Sequence, residues 1–201
     1  MRVGVLGGTF DPPHLAHLTL GAAAKHALGL DRVIFVPAGD PWRKAAQAIT
    51  PSEIRVRMLR AAVAPLAWAE VSLVEVDRPG PSYMSETLLL LAAERAEADW
   101  WFILGDDALA DMPYWYQPEQ LLKLARLALV WRPPGAGTVP GEVRARLPGI
   151  EVRLDIVPMT PLAVSATAIR QRIRDGRATT ILLPYGVRAI VDELGLYRGP
   201  D

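Results

Sequence analysis

Short apolar runs, each too brief for a helix and each followed by a longer helix-patterned segment, recur along this chain and limit it to one broad class of fold. Val3-Gly4-Val5-Leu6, Val33-Ile34-Phe35-Val36, Trp101-Phe102-Ile103-Leu104 and Leu127-Ala128-Leu129-Val130-Trp131 are such runs. Without polar alternation they read as strands buried on both faces. Residues 15–28 carry helical patterning. Thr50-Pro51-Ser52-Glu53 reads as a capping box with proline at the first helical position, opening a helix to about residue 64. Residues 71–76 alternate apolar and polar side chains, which predicts a half-buried strand. Residues 82–98 predict a helix with Leu88-Leu89-Leu90-Leu91 as its core face, and 150–157 a final strand. The Gly- and Pro-rich stretch 133–140 reads as a surface loop. Strand and helix in alternation predict an α/β fold, a doubly wound and mostly parallel sheet. Residues from Ser165 onward form a small C-terminal helical lobe in this reading. At 201 residues the whole chain, 1–201, suits a single domain with a substantial core.

Composition excludes several classes of function. Lysine plus arginine balance aspartate plus glutamate at 22 each, so no global field draws the chain to nucleic acid or to an anionic membrane. There is no cysteine, which removes disulfides and thiolate metal sites. No apolar run approaches the length of a membrane span, and Met1-Arg2-Val3 runs directly into a strand, so a cytoplasmic enzyme is expected. The basic residues are nearly all arginine, asparagine is absent, and prolines number 18. Heat adaptation favours such a balance; a GC-rich genome would produce the same arginine and alanine bias.

The chemistry concentrates in Gly7-Gly8-Thr9-Phe10-Asp11-Pro12-Pro13-His14-Leu15-Ala16-His17. This is a strand-to-helix turn, where open α/β sheets place their ligands. Gly7 and Gly8 let the backbone approach a ligand closely. The prolines set the start of the helix, whose free N–H groups and positive dipole end attract an anion. His14 and His17, three residues apart, share one helical face, and the chain has only three histidines. A Gly-Gly pair before a helix is common and alone says little. The histidine pair could instead hold a metal with Asp11. A dinucleotide turn is disfavoured, because Gly-x-Gly-x-x-Gly is absent.

Ser165-Ala166-Thr167-Ala168-Ile169-Arg170 is the second candidate segment. Ser165 is a natural N-cap, Thr167 falls in the first turn, and Arg170 lies one turn further along the same face. Hydroxyls and an arginine at a helix start make an anion site. A plain capped amphipathic helix would look the same. Beside the N-terminal turn, the two helix ends could grip a triphosphate.

The first segment resembles the (H/T)xGH signature of the nucleotidylyltransferase superfamily, and the second resembles its Ser-Ser-Thr-x-x-Arg partner motif. Three further segments resemble the bacterial nicotinate-mononucleotide adenylyltransferases within it: Pro41-Trp42-Arg43-Lys44, Gly80-Pro81-Ser82-Tyr83 with Glu86-Thr87, and Gly105-Asp106-Asp107 followed by Pro113-Tyr114-Trp115-Tyr116. The resemblance implies a Rossmann-like fold and the joining of ATP and nicotinate mononucleotide to give deamido-NAD and pyrophosphate. Attack on the α-phosphorus would be direct, with Mg2+ carried on the ATP phosphates and no metal ligands supplied by the protein. Carried onto this sequence, it assigns His14, His17 and Arg170 to catalysis. It assigns Gly8, Thr9, Phe10, Lys44, Ser165 and Thr167 to ATP and its phosphates, and Thr87, Asp107 and Trp115 to the mononucleotide. The partners implied are these two small molecules, with neither nucleic acid nor membrane; a homo-oligomer is compatible with the resemblance.

Three residues depart from the family pattern. Ala16 stands where glycine is usual, Ala166 replaces the second serine, and Arg43 precedes Lys44 where histidine is common. None removes a group the chemistry requires. Rival readings are another transferase of the superfamily, a nucleotide-binding regulator without turnover, and a metal-dependent hydrolase using Asp11, His14 and His17.

Overall fold

A computed structural model describes residues 1–40, 49–131, 138–160 and 162–199. Six strands form one sheet: β1 (Arg2–Gly8), β2 (Arg32–Pro37), β3 (Ala69–Val71), β4 (Asp99–Gly105), β5 (Arg126–Trp131) and β6 (Leu154–Pro158). Their spatial order is β3-β2-β1-β4-β5-β6 and every pairing is parallel. The chain therefore leaves the central pair β1 and β4 in opposite directions. Ligands of doubly wound sheets bind at the crevice that this reversal opens at the carboxyl ends of the strands.

Eight helices flank the sheet among the described residues: α1 (Leu15–Leu28), α2 (Ser52–Val63), α3 (Met84–Glu94), α4 (Asp106–Asp111), α5 (Pro118–Leu124), α6 (Gly141–Arg146), α7 (Ala166–Arg174) and α8 (Tyr185–Glu193). Alternation along β1 divides the core in two. Val3 and Val5 pack on one face with Leu88, Leu91, Leu109 and Leu121 from α3, α4 and α5. Leu6 packs on the other with Ala24 of α1 and Leu59 and Val63 of α2. At the far edge, Arg126 grips Asp155 with two hydrogen bonds of 2.6 and 2.9 Å while Trp101 donates to the same carboxylate at 2.8 Å. One carboxylate thereby ties β4, β5 and β6 together.

Several elements differ from the sequence expectation. Residues 71–76 do not extend β3. The Val76 and Asp77 N–H groups both close on the Leu73 carbonyl at 2.8 Å, and this turn swings Glu75 inward. Residues 150–153 form a 3-10 turn, so β6 starts only at Leu154. Leu88 and Leu91 of α3 are buried, but Leu89 and Leu90 face outward at 50% and 42% exposure, because a helix cannot turn four successive residues to one side. α2 begins at Ser52 with Pro51 as its N-cap, and Thr50 is engaged elsewhere. The loop expected over 133–140 lies mostly outside the described residues.

The C-terminal helices pack on α2. Met58 and Ala62 of α2 meet Ile169 of α7 and Val187, Ile190 and Val191 of α8 in a third apolar cluster. Met58 is fully buried at that seam. Met58→Ala is expected to lower stability by about 2–5 kcal/mol, measured as a drop in the urea midpoint, with the sheet's circular dichroism unchanged below the transition.

Candidate active site at the carboxyl ends of β1 and β4

The turn after β1 reaches its shape through a left-handed residue and a cis peptide. Phe10 has φ of 51° and Asp11-Pro12 is cis. Phe10 is buried, its ring edge-on to His17 at 4.8 Å and tilted on Phe35 at 6.2 Å. A Cβ on Gly8 would stand only 3.2 Å from that ring. The side chain of Phe10 thus supports the histidines from behind.

His14 caps α1 in an extended conformation and His17 sits one turn in. Their rings stack at 3.7 Å with an interplanar angle of 25°. The His14 backbone N–H donates to His17 Nδ1 at 3.2 Å. An acceptor nitrogen carries no proton, so neutral His17 holds its hydrogen on Nε2 as a donor. Burial pulls the His14 imidazole down from 6.5 to about 4, and its Nδ1 lacks a hydrogen-bond partner among the described residues. At neutral pH His14 is therefore uncharged. Ala16 extends α1 without a break, in keeping with alanine's helix propensity.

α7 supplies the opposite side. Ser165 Oγ accepts from the Ala168 N–H at 3.2 Å, the cap expected from sequence. Ser165 and Thr167 are exposed at the helix start. Arg170 Nη1 donates to the Asp11 carbonyl at 2.9 Å. That contact, across 159 residues of chain, brings the two motifs to one place. Lys44, with Arg43, lies outside the described residues.

The residues assigned to a mononucleotide gather on the β4 side. Asp107 is exposed in the first turn of α4, directly after β4. Trp115 packs edge-on to Phe102 of β4 at 5.8 Å, and its Nε1 is buried without a partner among the described residues. Tyr83 and Tyr116 stack at 4.5 Å, and Ser85 Oγ donates to the Tyr116 carbonyl at 2.9 Å, which binds the start of α3 to the Trp115 loop. Thr87 does not line the cleft: it is fully buried and its hydroxyl lies 2.6 Å from Glu75 Oε1 and 3.1 Å from the Tyr83 carbonyl. It braces the loop from beneath.

Three buried residues hold these loops: Arg55 and Glu75, which the sequence reading did not single out, and Asp11, which it weighed only as a metal ligand. Arg55 is 1% exposed, and its guanidinium donates to the carbonyls of Thr50 at 2.9 Å, Thr9 at 2.8 Å and Ala38 at 2.7 Å. Burial lowers its pKa, opposed by the negative charge of Asp11. Its position was legible, because Arg55, Leu59 and Ala62 share the apolar face of α2. Glu75 is held by Thr87 and Ser82, and burial raises its carboxyl above the usual range despite them. A Cβ on Gly39 would come 2.0 Å from the Glu75 carbonyl, so only glycine fits there, two residues beyond β2. Asp11 is the third. Its carboxylate accepts from the Tyr197 hydroxyl at 2.6 Å and the Thr50 N–H at 3.1 Å. Those contacts occupy both of its oxygens, and among the described residues no group of three histidine, aspartate or glutamate side chains could hold a metal ion.

A helix start carrying two imidazoles is thus faced by an arginine from a second helix start, at the reversal of a parallel sheet. The chain belongs to the cytidylyltransferase-like family, whose model matches residues 5–172. Curated relatives carry the name probable nicotinate-nucleotide adenylyltransferase. The Roseiflexus sp. protein is 41% identical over 196 residues, covering 98% of each chain. The Acidothermus cellulolyticus protein is 41% identical over 205 residues, covering 100% of this chain and 96% of its own. Among solved structures, Plasmodium falciparum nicotinic acid mononucleotide adenylyltransferase complexed with NaAD shares the fold, with a TM-score of 0.76 at 15% identity over 98% of this chain and 97% of its own. No described helix is long and apolar enough to cross a membrane.

The folded protein takes up the His14 proton only near pH 4, whereas the unfolded chain takes it up near 6.5. Stability from the neutral imidazole is therefore complete above pH 6.5 and is lost as pH falls from there to 4, by roughly 3 kcal/mol. Urea unfolding of His14→Gln beside the parent protein across this window is expected to show a fall smaller by about that amount.

Proposed function

We propose that this chain, working as one domain in the cytoplasm, joins ATP and nicotinate mononucleotide to give deamido-NAD and pyrophosphate. The observation that carries this reading is the Arg170 contact to Asp11, which sets the α7 motif against the histidine pair. A 5′-phosphate oxygen of the mononucleotide attacks the α-phosphorus of ATP. The new P–O bond forms as the bond to the β-phosphate bridge breaks, and pyrophosphate leaves with that electron pair. The attacking phosphate is already ionised, so no general base is required.

The protein's contribution is positioning and charge stabilisation. His17, with its proton on Nε2, donates to phosphate oxygens as negative charge develops there. His14 donates as a neutral imidazole, so its hydrogen bond does not depend on protonation near neutral pH. Gly8, Thr9 and Phe10 shape the turn, with backbone rather than the Phe10 ring facing the nucleotide. Arg170, Ser165 and Thr167 hold the β- and γ-phosphates, joined by Lys44. Magnesium arrives on ATP as part of the substrate. Asp107 takes the ribose hydroxyls, and Trp115 stacks on the nicotinate ring, with Thr87 holding that subsite in shape from below.

The test is pyrophosphate release from ATP and magnesium with nicotinate or nicotinamide mononucleotide in parallel. Turnover with the acid is expected to exceed that with the amide roughly tenfold to a hundredfold, since one donor facing an amide nitrogen costs about 1–3 kcal/mol. His17→Ala is expected to lower kcat by about 10²–10³. No turnover with either mononucleotide would overturn the reading.

A further inference from the structure

Beyond α8 the chain reverses in two steps. The Leu196 N–H closes on the Val191 carbonyl at 3.0 Å and the Gly195 N–H on Asp192 at 3.3 Å, with Gly195 left-handed at φ of 61°. This is a Schellman stop. Tyr197 is then left-handed as well, at φ of 62°. A residue with a side chain holds that conformation only where its surroundings fix it. Here they do: its hydroxyl donates to Asp11 Oδ1 at 2.6 Å and accepts from Thr50 Oγ1 at 3.4 Å.

Asp11 is the joint through which this contact reaches the site. It lies three residues before His14, its backbone carbonyl is the acceptor for Arg170, and its second carboxylate oxygen holds Thr50 at the start of α2. We propose that Tyr197 is a positioning residue of the transfer reaction. Through its hydrogen bond to Asp11 it holds the phosphate turn and Arg170 in one geometry. Tyr197 touches no substrate in the reading of the previous subsection, on which this inference rests; it acts on the histidines and Arg170 only through Asp11.

Tyr197→Phe keeps the ring in the apolar cluster and removes only the hydroxyl. Small misplacements of phosphate donors weaken the transition state more than substrate binding. We expect kcat to fall about tenfold or more, while KM for both substrates changes less than about threefold. Asp11→Asn, which also disturbs Thr50 and Arg55, is expected to lower kcat at least as far, and the double variant no further than Asp11→Asn alone, because the Tyr197 hydroxyl acts through Asp11. The His14 imidazole, followed by NMR, is expected to titrate above its value of about 4 in Tyr197→Phe as the turn loosens and hydrates.

A folded Tyr197→Phe with kcat within about twofold of the parent overturns the inference, as does a double variant whose losses multiply. If Tyr197→Phe does not fold, Asp11→Asn decides: kcat unchanged overturns the inference, and a selective fall in kcat sustains it. Absence of turnover in the unaltered protein would sink the functional reading instead. The His14 titration then decides alone, an unchanged midpoint in Tyr197→Phe overturning the positioning role.

Discussion

A guanidinium shut off from water sits behind this site, and the loops in front of it depend on what it binds. Arg55 cannot leave its donors unmade, since an unpaired buried donor costs about 1–3 kcal/mol and a charged one more. It takes the carbonyls of Thr9, Ala38 and Thr50, which belong to the β1 turn, the end of β2 and the start of α2. Three segments, already linked by the Ala38 N–H to the Gly8 carbonyl at 2.9 Å and the Thr50 N–H to Asp11 at 3.1 Å, are thus also held to one rigid group. Asp11 supplies the opposing charge that makes burying Arg55 tolerable. The turn that carries the histidines is thereby fixed from behind.

The sheet order does the complementary task at longer range. With β1 and β4 side by side and the chain departing in opposite directions, the phosphate turn and the Asp107–Trp115 side become neighbours, although about a hundred residues separate them. Met84 at the start of α3 reaches Gly7 at the end of β1, where a Cβ would lie 2.4 Å from its terminal methyl. The two halves of the cleft are therefore joined by direct packing.

The sequence was most legible where local chemistry and tertiary packing agree. β1, α1 and the Ser165 cap follow from apolar runs, a proline-led helix start and a hydroxyl at the right place. Reading failed where a polar side chain had a distant partner. Thr50 suits a capping box, but its N–H serves Asp11 and its hydroxyl serves Tyr197, so α2 starts without it. Glu75 suits the solvent side of a strand, yet the turn at Leu73 sends it inward to Thr87. Arg55 left a trace on the apolar face of α2; Tyr197 left none, because its partner is 186 residues away.

That separation bears on how the molecule comes together. Contacts between residues far apart in sequence carry the largest loop-closure entropy and tend to form after local ones. The bond from Arg170 to Asp11 spans 159 residues and that from Tyr197 spans 186, whereas β1 and β2 pair across a single helix. Half the sheet can be in place while the phosphate turn still lacks its two distant tethers. A folding intermediate of this kind would have a core before it had a grip on nucleotide, so nucleotide binding would report the last stage of folding.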